Sequence, residues 1–168
     1  MQFEVTRHVA APAEKVWAVI ADVEHSAEVV SAIDAIEMVV GPSPVGVGTT
    51  WRETRTMLGR QASQELTVSA VDVGRSYTVR THSGGSEYES TITVTPDGVS
   101  DSTVTLTLAA RSTSSAGRLL GATLGRAFAG ATRKALEQDL ADLATAAELG
   151  HAGEGPASGD AGGRPLGP

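Results

Sequence analysis

Trp51, Glu53, Arg55 and Met57 alternate along one short stretch, so in an extended strand their side chains share a face. A carboxylate and a guanidinium enclosed together beside an indole would form a pre-paired polar group at an apolar site. Such a pair can orient a carbonyl or phenol, or give acid/base help. The same alternation also allows the opposite facing, with Arg52, Thr54 and Thr56 inside and Glu53 and Arg55 making a surface pair of small energetic value. The pattern by itself leaves both open. Gln64, Tyr77, Tyr88 and His82 are the other polar groups that could line a pocket. Tyr77 and Tyr88 fall in step with Val79, Ile92 and Val94, which turns their rings inward; a hydroxyl there either satisfies itself within the core or meets a ligand. His82 is out of phase with Tyr77 and Val79 and adjoins Gly84-Gly85, so it reads as an exposed turn residue. Glu53, Arg55 and Tyr88 are the catalytic candidates.

Other chemistries are excluded early. The chain has no cysteine, which removes disulfides, thiolate metal sites and cysteine nucleophiles. His8, His25 and His151 are scattered without ligand spacing, so no metal is expected, and no residues call for a cofactor. There is no phosphate-binding glycine loop ending in Lys-Ser/Thr, no Gly-x-Ser-x-Gly elbow and no dinucleotide fingerprint. Gly121 and Gly125 have the spacing of a membrane dimer motif, but Arg118 and Arg126 interrupt the apolar segment it needs. Twenty acidic residues against 13 basic ones give a net charge of -7, which argues against a general nucleic-acid binder. No apolar run approaches the roughly 20 residues that span a bilayer, and the N-terminus lacks the apolar core of a signal peptide. A cytoplasmic protein is the expectation.

The elements that must position these side chains follow from periodicity. Phe3, Val5 and Val9 alternate against polar neighbours as a half-buried strand. Pro12 and Glu14 then suit the first turn of a helix carrying Val16, Trp17, Val19, Ile20 and Val23. Trp17, at helical spacing, reads as core. A short second helix is expected over roughly Glu24–Val30, and a strand from Ile33 to Val40 ends at Gly41-Pro42-Ser43-Pro44. Further strands are expected near Thr49–Leu58, Gln61–Val71, Ser76–His82, Glu87–Thr95 and Ser102–Ala110, with breaks short enough for antiparallel hairpins. The later strands set an apolar face against a threonine-rich one. The order is strand, two helices, six strands and one long helix over Ser115–Leu149, an α+β domain of residues 1–149. Residues 150–168 carry 7 of the 19 glycines and 3 of the 7 prolines, so they read as a disordered tail.

With these elements in order, the chain resembles the START-like, or SRPBCC, superfamily (Bet v 1-like), most closely its bacterial polyketide cyclase/dehydrase group. The resemblance rests on VTRHVAAPAEKVWAVIADVE after the N-terminus, GVGTTW entering a long strand, the MLGR hairpin and RKALEQDLADLA near the end. It implies a helix-grip fold: a curved seven-stranded antiparallel sheet wrapped around a C-terminal helix, with a ligand cavity between them. It further implies an inward aromatic at Trp51, and binding of lipids, sterols, polyketides or plant hormones, with cyclisation, aromatisation or dehydration in a minority. Where many relatives carry an aromatic residue in the second short helix, this chain has Ser26-Ala27-Glu28-Val29-Val30, so the cavity rim should differ.

The long helix is the least conventional element. Gly117, Gly121, Gly125 and Gly130 each cost about 1 kcal/mol of propensity relative to alanine. Arg118, Arg126, Arg133 and Lys134 precede Glu137, Asp139, Asp142 and Glu148, the reverse of what the helix dipole favours. Leu136, Leu140 and Leu143 read as an anchor to the sheet, and the small residues around Leu120, Leu124 and Phe128 as the roof of a cavity. The expected ligand-binding set is Trp51, Glu53, Arg55, Gln64, Tyr77, Tyr88, Leu120, Leu124 and Phe128. Carriage of a small hydrophobic molecule is the first functional reading. A polyketide cyclase, aromatase or dehydratase in the same cavity is the second, and a protein-interaction domain the third. The oligomeric state is open.

Overall fold

A computed structural model describes residues 2–41, 44–57, 59–83, 85–112 and 115–150, with the side chains of Met57 and residues 112–128 set aside. Alternation dictates most of it. β1 (Gln2–Val9) buries Phe3, Val5 and Val9 while its intervening residues face solvent. Pro12 leads into α1 (Ala13–Ala21), where its carbonyl accepts from the Lys15 and Val16 amides at 3.0 and 3.2 Å. α1 buries Val16, Val19, Ile20 and Ala21 on one face. The expected second helix is a 3₁₀ turn, Val23–His25, running into a single α-helical turn, α2 (Ser26–Val29). Its weak apolar pattern explains its brevity.

The remaining strands are β2 (Ile33–Val40), β3 (Thr50–Met57), β4 (Arg60–Asp72), β5 (Ser76–Ser83), β6 (Ser86–Pro96) and β7 (Ser102–Ser112). They form an antiparallel sheet of order β1-β7-β6-β5-β4-β3-β2, so β2 to β7 is a meander and β1 closes onto β7. The segment from α1 to α2 carries the chain from one sheet edge to the other. Short turns join β3 through β7, with left-handed glycines where they are required: Gly59 (φ 73°) before β4 and Gly74 (φ 80°) before β5. Irregular register within β2 and at Val68/Ala70 of β4 bends these strands, adding to the twist that curls a long sheet.

α3 (Ser115–Leu149) lies across the concave side as one continuous helix about 50 Å long. Leu140, Ala144, Ala146 and Ala147 join Val5, Val9, Val16, Ile20, Ile92, Val94 and Val104 in one core. A second core holds Ala21, Val23, Val45, Trp51, Leu66, Val68 and Val79, and Trp17 and Tyr77 pack against both. Tertiary contacts account for several of the reversed charges in the described part of α3. Arg133 donates to the Glu4 carbonyl (3.2 Å), Asp142 accepts from the Ser31 amide (2.8 Å) and hydroxyl (2.6 Å), and Glu148 accepts from the Ala10 amide (3.0 Å). Each holds the second half of the helix to a different part of the fold, which outweighs a dipole preference worth under about 1 kcal/mol. The architecture is the helix-grip fold. Leu120, Leu124 and Phe128 lie outside the described side chains, as does the tail from His151 onward.

Candidate functional site

The inner face of the sheet changes character along its strands. At one end Ile92, Val94 and Val104 are buried under α1 and the second half of α3, and Val79 packs with Ala21 of α1 in the second core. Further along the same face, β3 presents Glu53 and Arg55, β4 Gln64, β5 Thr81 and β6 Tyr88. Trp51 is 4% exposed and Glu53 6%, so the β3 side chains that alternate with Arg52 point inward. Gln64 stands directly opposite Glu53 in the β3–β4 ladder, and Tyr88 opposite Thr81 in the β5–β6 ladder. Tyr88 lies three strand spacings from β3, roughly 14 Å along the sheet. His82 is exposed, within β5 rather than in the turn.

Arg55 is the centre of the group. Its Nε donates to Glu53 Oε1, and its Nη1 donates to Asp139 Oδ2 at 2.7 Å. Asp139 was not among the expected site residues. Its signal was nonetheless in the sequence: Asp139 lies three residues after Leu136 and four before Leu143, a charge on the apolar stripe of α3. Buried charges of this kind need partners. Thr81, two residues beyond Val79 and in phase with it, was also missed.

One guanidinium among two nearly enclosed carboxylates leaves an excess of negative charge, which shows in the ionisation of the group. Burial pushes the Asp139 carboxyl up; Arg55 pulls it back only in part, and Glu53 adds to the rise. Burial alone would lower Arg55, but Glu53 and Asp139 outweigh it and keep the guanidinium charged. Tyr77, packed edge-on to Trp17 with ring centroids 6.4 Å apart, has its hydroxyl ionisation pushed up by burial and then by the charge of Glu53. Among the described residues, three buried polar atoms on this side of the sheet have no hydrogen-bond partner: Trp51 Nε1, Thr81 Oγ1 and Asp139 Oδ1. These are a donor, a hydroxyl and an acceptor.

Among the described residues, a depression of about 180 Å³ opens on the opposite, outer face between Arg80, Glu87, Glu89, Ala109 and Arg111. It is a cross-strand charge ladder, with Arg80 Nε donating to Glu89 at 2.9 Å and both side chains about half exposed. Solvated pairs of this kind carry little energy and no orphaned groups, so the inner face is the stronger candidate. Among the described residues, no cluster of three or more His, Asp or Glu could hold a metal ion, and no helix is long and apolar enough to cross a membrane.

Among known families, the model described as "Polyketide cyclase / dehydrase and lipid transport" matches residues 1–148. The chain belongs to this family. Compared with curated proteins, the sequence finds no match. Solved structures of similar fold include a protein from Thermus thermophilus, 20% identical with a TM-score of 0.73, covering 89% of this chain and 98% of that one. The Zhui aromatase/cyclase from a Streptomyces species is 20% identical with a TM-score of 0.67, covering 88% and 93%. A norcoclaurine synthase from Thalictrum flavum is 19% identical with a TM-score of 0.66, covering 90% and 95%. At these identities the likeness is one of fold, and the polyketide cyclase/dehydrase and lipid transport family spans both catalysis and carriage.

Proposed function

We propose that the protein binds a small, largely apolar molecule between the sheet and α3, with Glu53, Arg55 and Asp139 as the polar end of the site. The observation that carries this reading is the set of orphaned polar atoms on the inner face, Trp51 Nε1, Thr81 Oγ1 and Asp139 Oδ1. Folded chains satisfy most buried polar atoms, and three left open beside an apolar core match a ligand with a few oriented polar groups. Family membership supports the same reading, since lipid transport and polyketide chemistry both require an enclosed hydrophobic molecule. Native mass spectrometry of protein purified from its own host tests it. A discrete small-molecule adduct, lost in Asp139→Leu, which removes the acceptor oxygen, and retained in Arg80→Ala, is expected. Protein that stays adduct-free under mild purification, or an adduct lost only with Arg80→Ala, would remove the inner-face assignment.

A second reading, catalysis in the same site, is favoured by the raised Asp139 carboxyl. A carboxylate that takes up a proton more readily than an exposed one can pass that proton to a carbonyl or a leaving hydroxyl, as a cyclase or dehydratase requires. Here Arg55 would orient the acid and Glu53 set its charge environment. Dehydration of a β-hydroxy ketone, followed by absorbance, should then lose roughly 100-fold or more in kcat on Asp139→Asn with KM little changed. Equal kcat in the two proteins would leave carriage alone.

A further inference from the structure

The charge balance of the site bears on what it can accept, a question that rests on the binding reading above. An arginine in an apolar cavity is ordinarily an anion receptor, because its planar fork matches carboxylate and phosphate. Arg55 is already committed in two directions, Nε to Glu53 and Nη1 to Asp139. Both carboxylates are 8% exposed, so solvent does little to screen them. Among the described residues, an incoming anion would meet two negative groups and one engaged cation. The open atom in the cluster, Asp139 Oδ1, is a carboxylate oxygen and offers itself to a donor. Gln64 beside Glu53 is neutral and does not change the balance.

We infer that this site selects molecules whose polar end brings a hydrogen-bond donor, an alcohol, phenol or amine, and turns away carboxylates and phosphates of the same apolar shape. The donor is received at Asp139 Oδ1. Trp51 Nε1 and Thr81 Oγ1, further along the inner face, can meet a carbonyl or ether oxygen elsewhere on the same molecule. Free fatty acids and phospholipid headgroups are then excluded, even though their apolar parts suit such a cavity. The basis is negative charge placed against a competing ligand, a common route to specificity.

Calorimetric titration at pH 7.4 with 1-naphthol, 1-naphthylmethylamine and 1-naphthoate tests this, since the three share a ring system and differ at the polar end. The naphthol and the amine are expected to bind at least about tenfold more tightly than the carboxylate. Asp139→Asn removes one charge and should bring the three affinities to within about threefold, mainly by improving the carboxylate. Should that variant fail to fold, Glu53→Gln removes the other charge while leaving an amide oxygen for Arg55, and carries the same expectation. Wild-type protein that binds 1-naphthoate as well as 1-naphthol overturns the inference and leaves the binding site standing. Failure of the whole series to bind either wild type or variants overturns the site and the inference together.

Discussion

Strand β3 carries two arginines, each set between two carboxylates, on opposite faces of one sheet. On the outer face Arg52 lies in a ladder of in-register neighbours, 2.8 Å from Glu37 on β2 and 3.9 Å from Glu65 on β4. On the inner face Arg55 reaches Glu53 along its own strand and Asp139 across on α3. Each set is one arginine and two carboxylates. Their side-chain exposures are 48, 67 and 55% for Arg52, Glu37 and Glu65, against 22, 8 and 8% for Arg55, Glu53 and Asp139. Water screens the outer set, which contributes to solubility and little to stability. The inner set has lost most of its hydration, so each charge depends on the others, and an unpaired one is costly. Facing, rather than composition, decides whether such a group is surface decoration or a candidate site.

Removing the two arginines in turn challenges this contrast most forcefully. Arg55→Ala leaves two enclosed carboxylates without their cation and is expected to cost about 3–5 kcal/mol in urea unfolding. Replacing the whole inner set, as Glu53→Met with Arg55→Leu and Asp139→Leu, should recover that loss and can exceed wild-type stability. The recovered protein should no longer discriminate between 1-naphthol and 1-naphthoate. A triple variant as unstable as Arg55→Ala would instead make the cluster a structural clamp between β3 and α3.

A smaller effect is expected at Asp142, which sits on the same helix but near solvent. Burial would raise this carboxyl, yet the hydrogen bonds from Ser31 and Gln138 outweigh it and hold it below the ordinary carboxylate value. Its folded-state ionisation is therefore depressed relative to the unfolded chain. The stability it contributes is complete at neutral pH and is lost as pH falls through the folded value. Asp142→Ala should cost about 1–2 kcal/mol at pH 7, and the gap from wild type should close as the pH drops below the ordinary carboxylate range. Asp139 has the opposite sign: its raised carboxyl is penalised at neutral pH and relieved by acid. The smallest effect belongs to Arg52→Ala, expected within about 1 kcal/mol of wild type and reduced further by salt.

Much of this architecture was legible in the sequence because it rests on local periodicity. The alternation of Tyr77 with Val79, and of Tyr88 with Ile92 and Val94, marked both the strands and their inward face. β3 was harder. Both of its faces carry an arginine and a threonine or carboxylate, so alternation is symmetric there, and only the burial of Trp51 within the second core breaks the tie. The Arg55–Asp139 contact joins residues 84 positions apart, a separation no local pattern reports. What the sequence did hold was a misplaced charge: Asp139 within the leucine stripe of α3, where helix periodicity predicts an apolar side chain. Its neighbours in the reversed charge pattern, Asp142 and Glu148, likewise found partners far away in the chain.

Whether the inner face is the ligand's side of the sheet can be read directly from the Trp51 indole. The chain has two tryptophans, so a nitrogen-15-labelled sample gives two indole resonances, assigned by Trp17→Phe. Titration with 1-naphthol should move the Trp51 indole N–H saturably, together with the Thr81 amide, while the amides of Arg80 and Glu89 on the outer face stay in place. A Trp51 signal that never moves, with saturable shifts at Arg80, Glu89 and Arg111 instead, would put the binding site on the opposite face of the sheet and contradict the inner-face assignment.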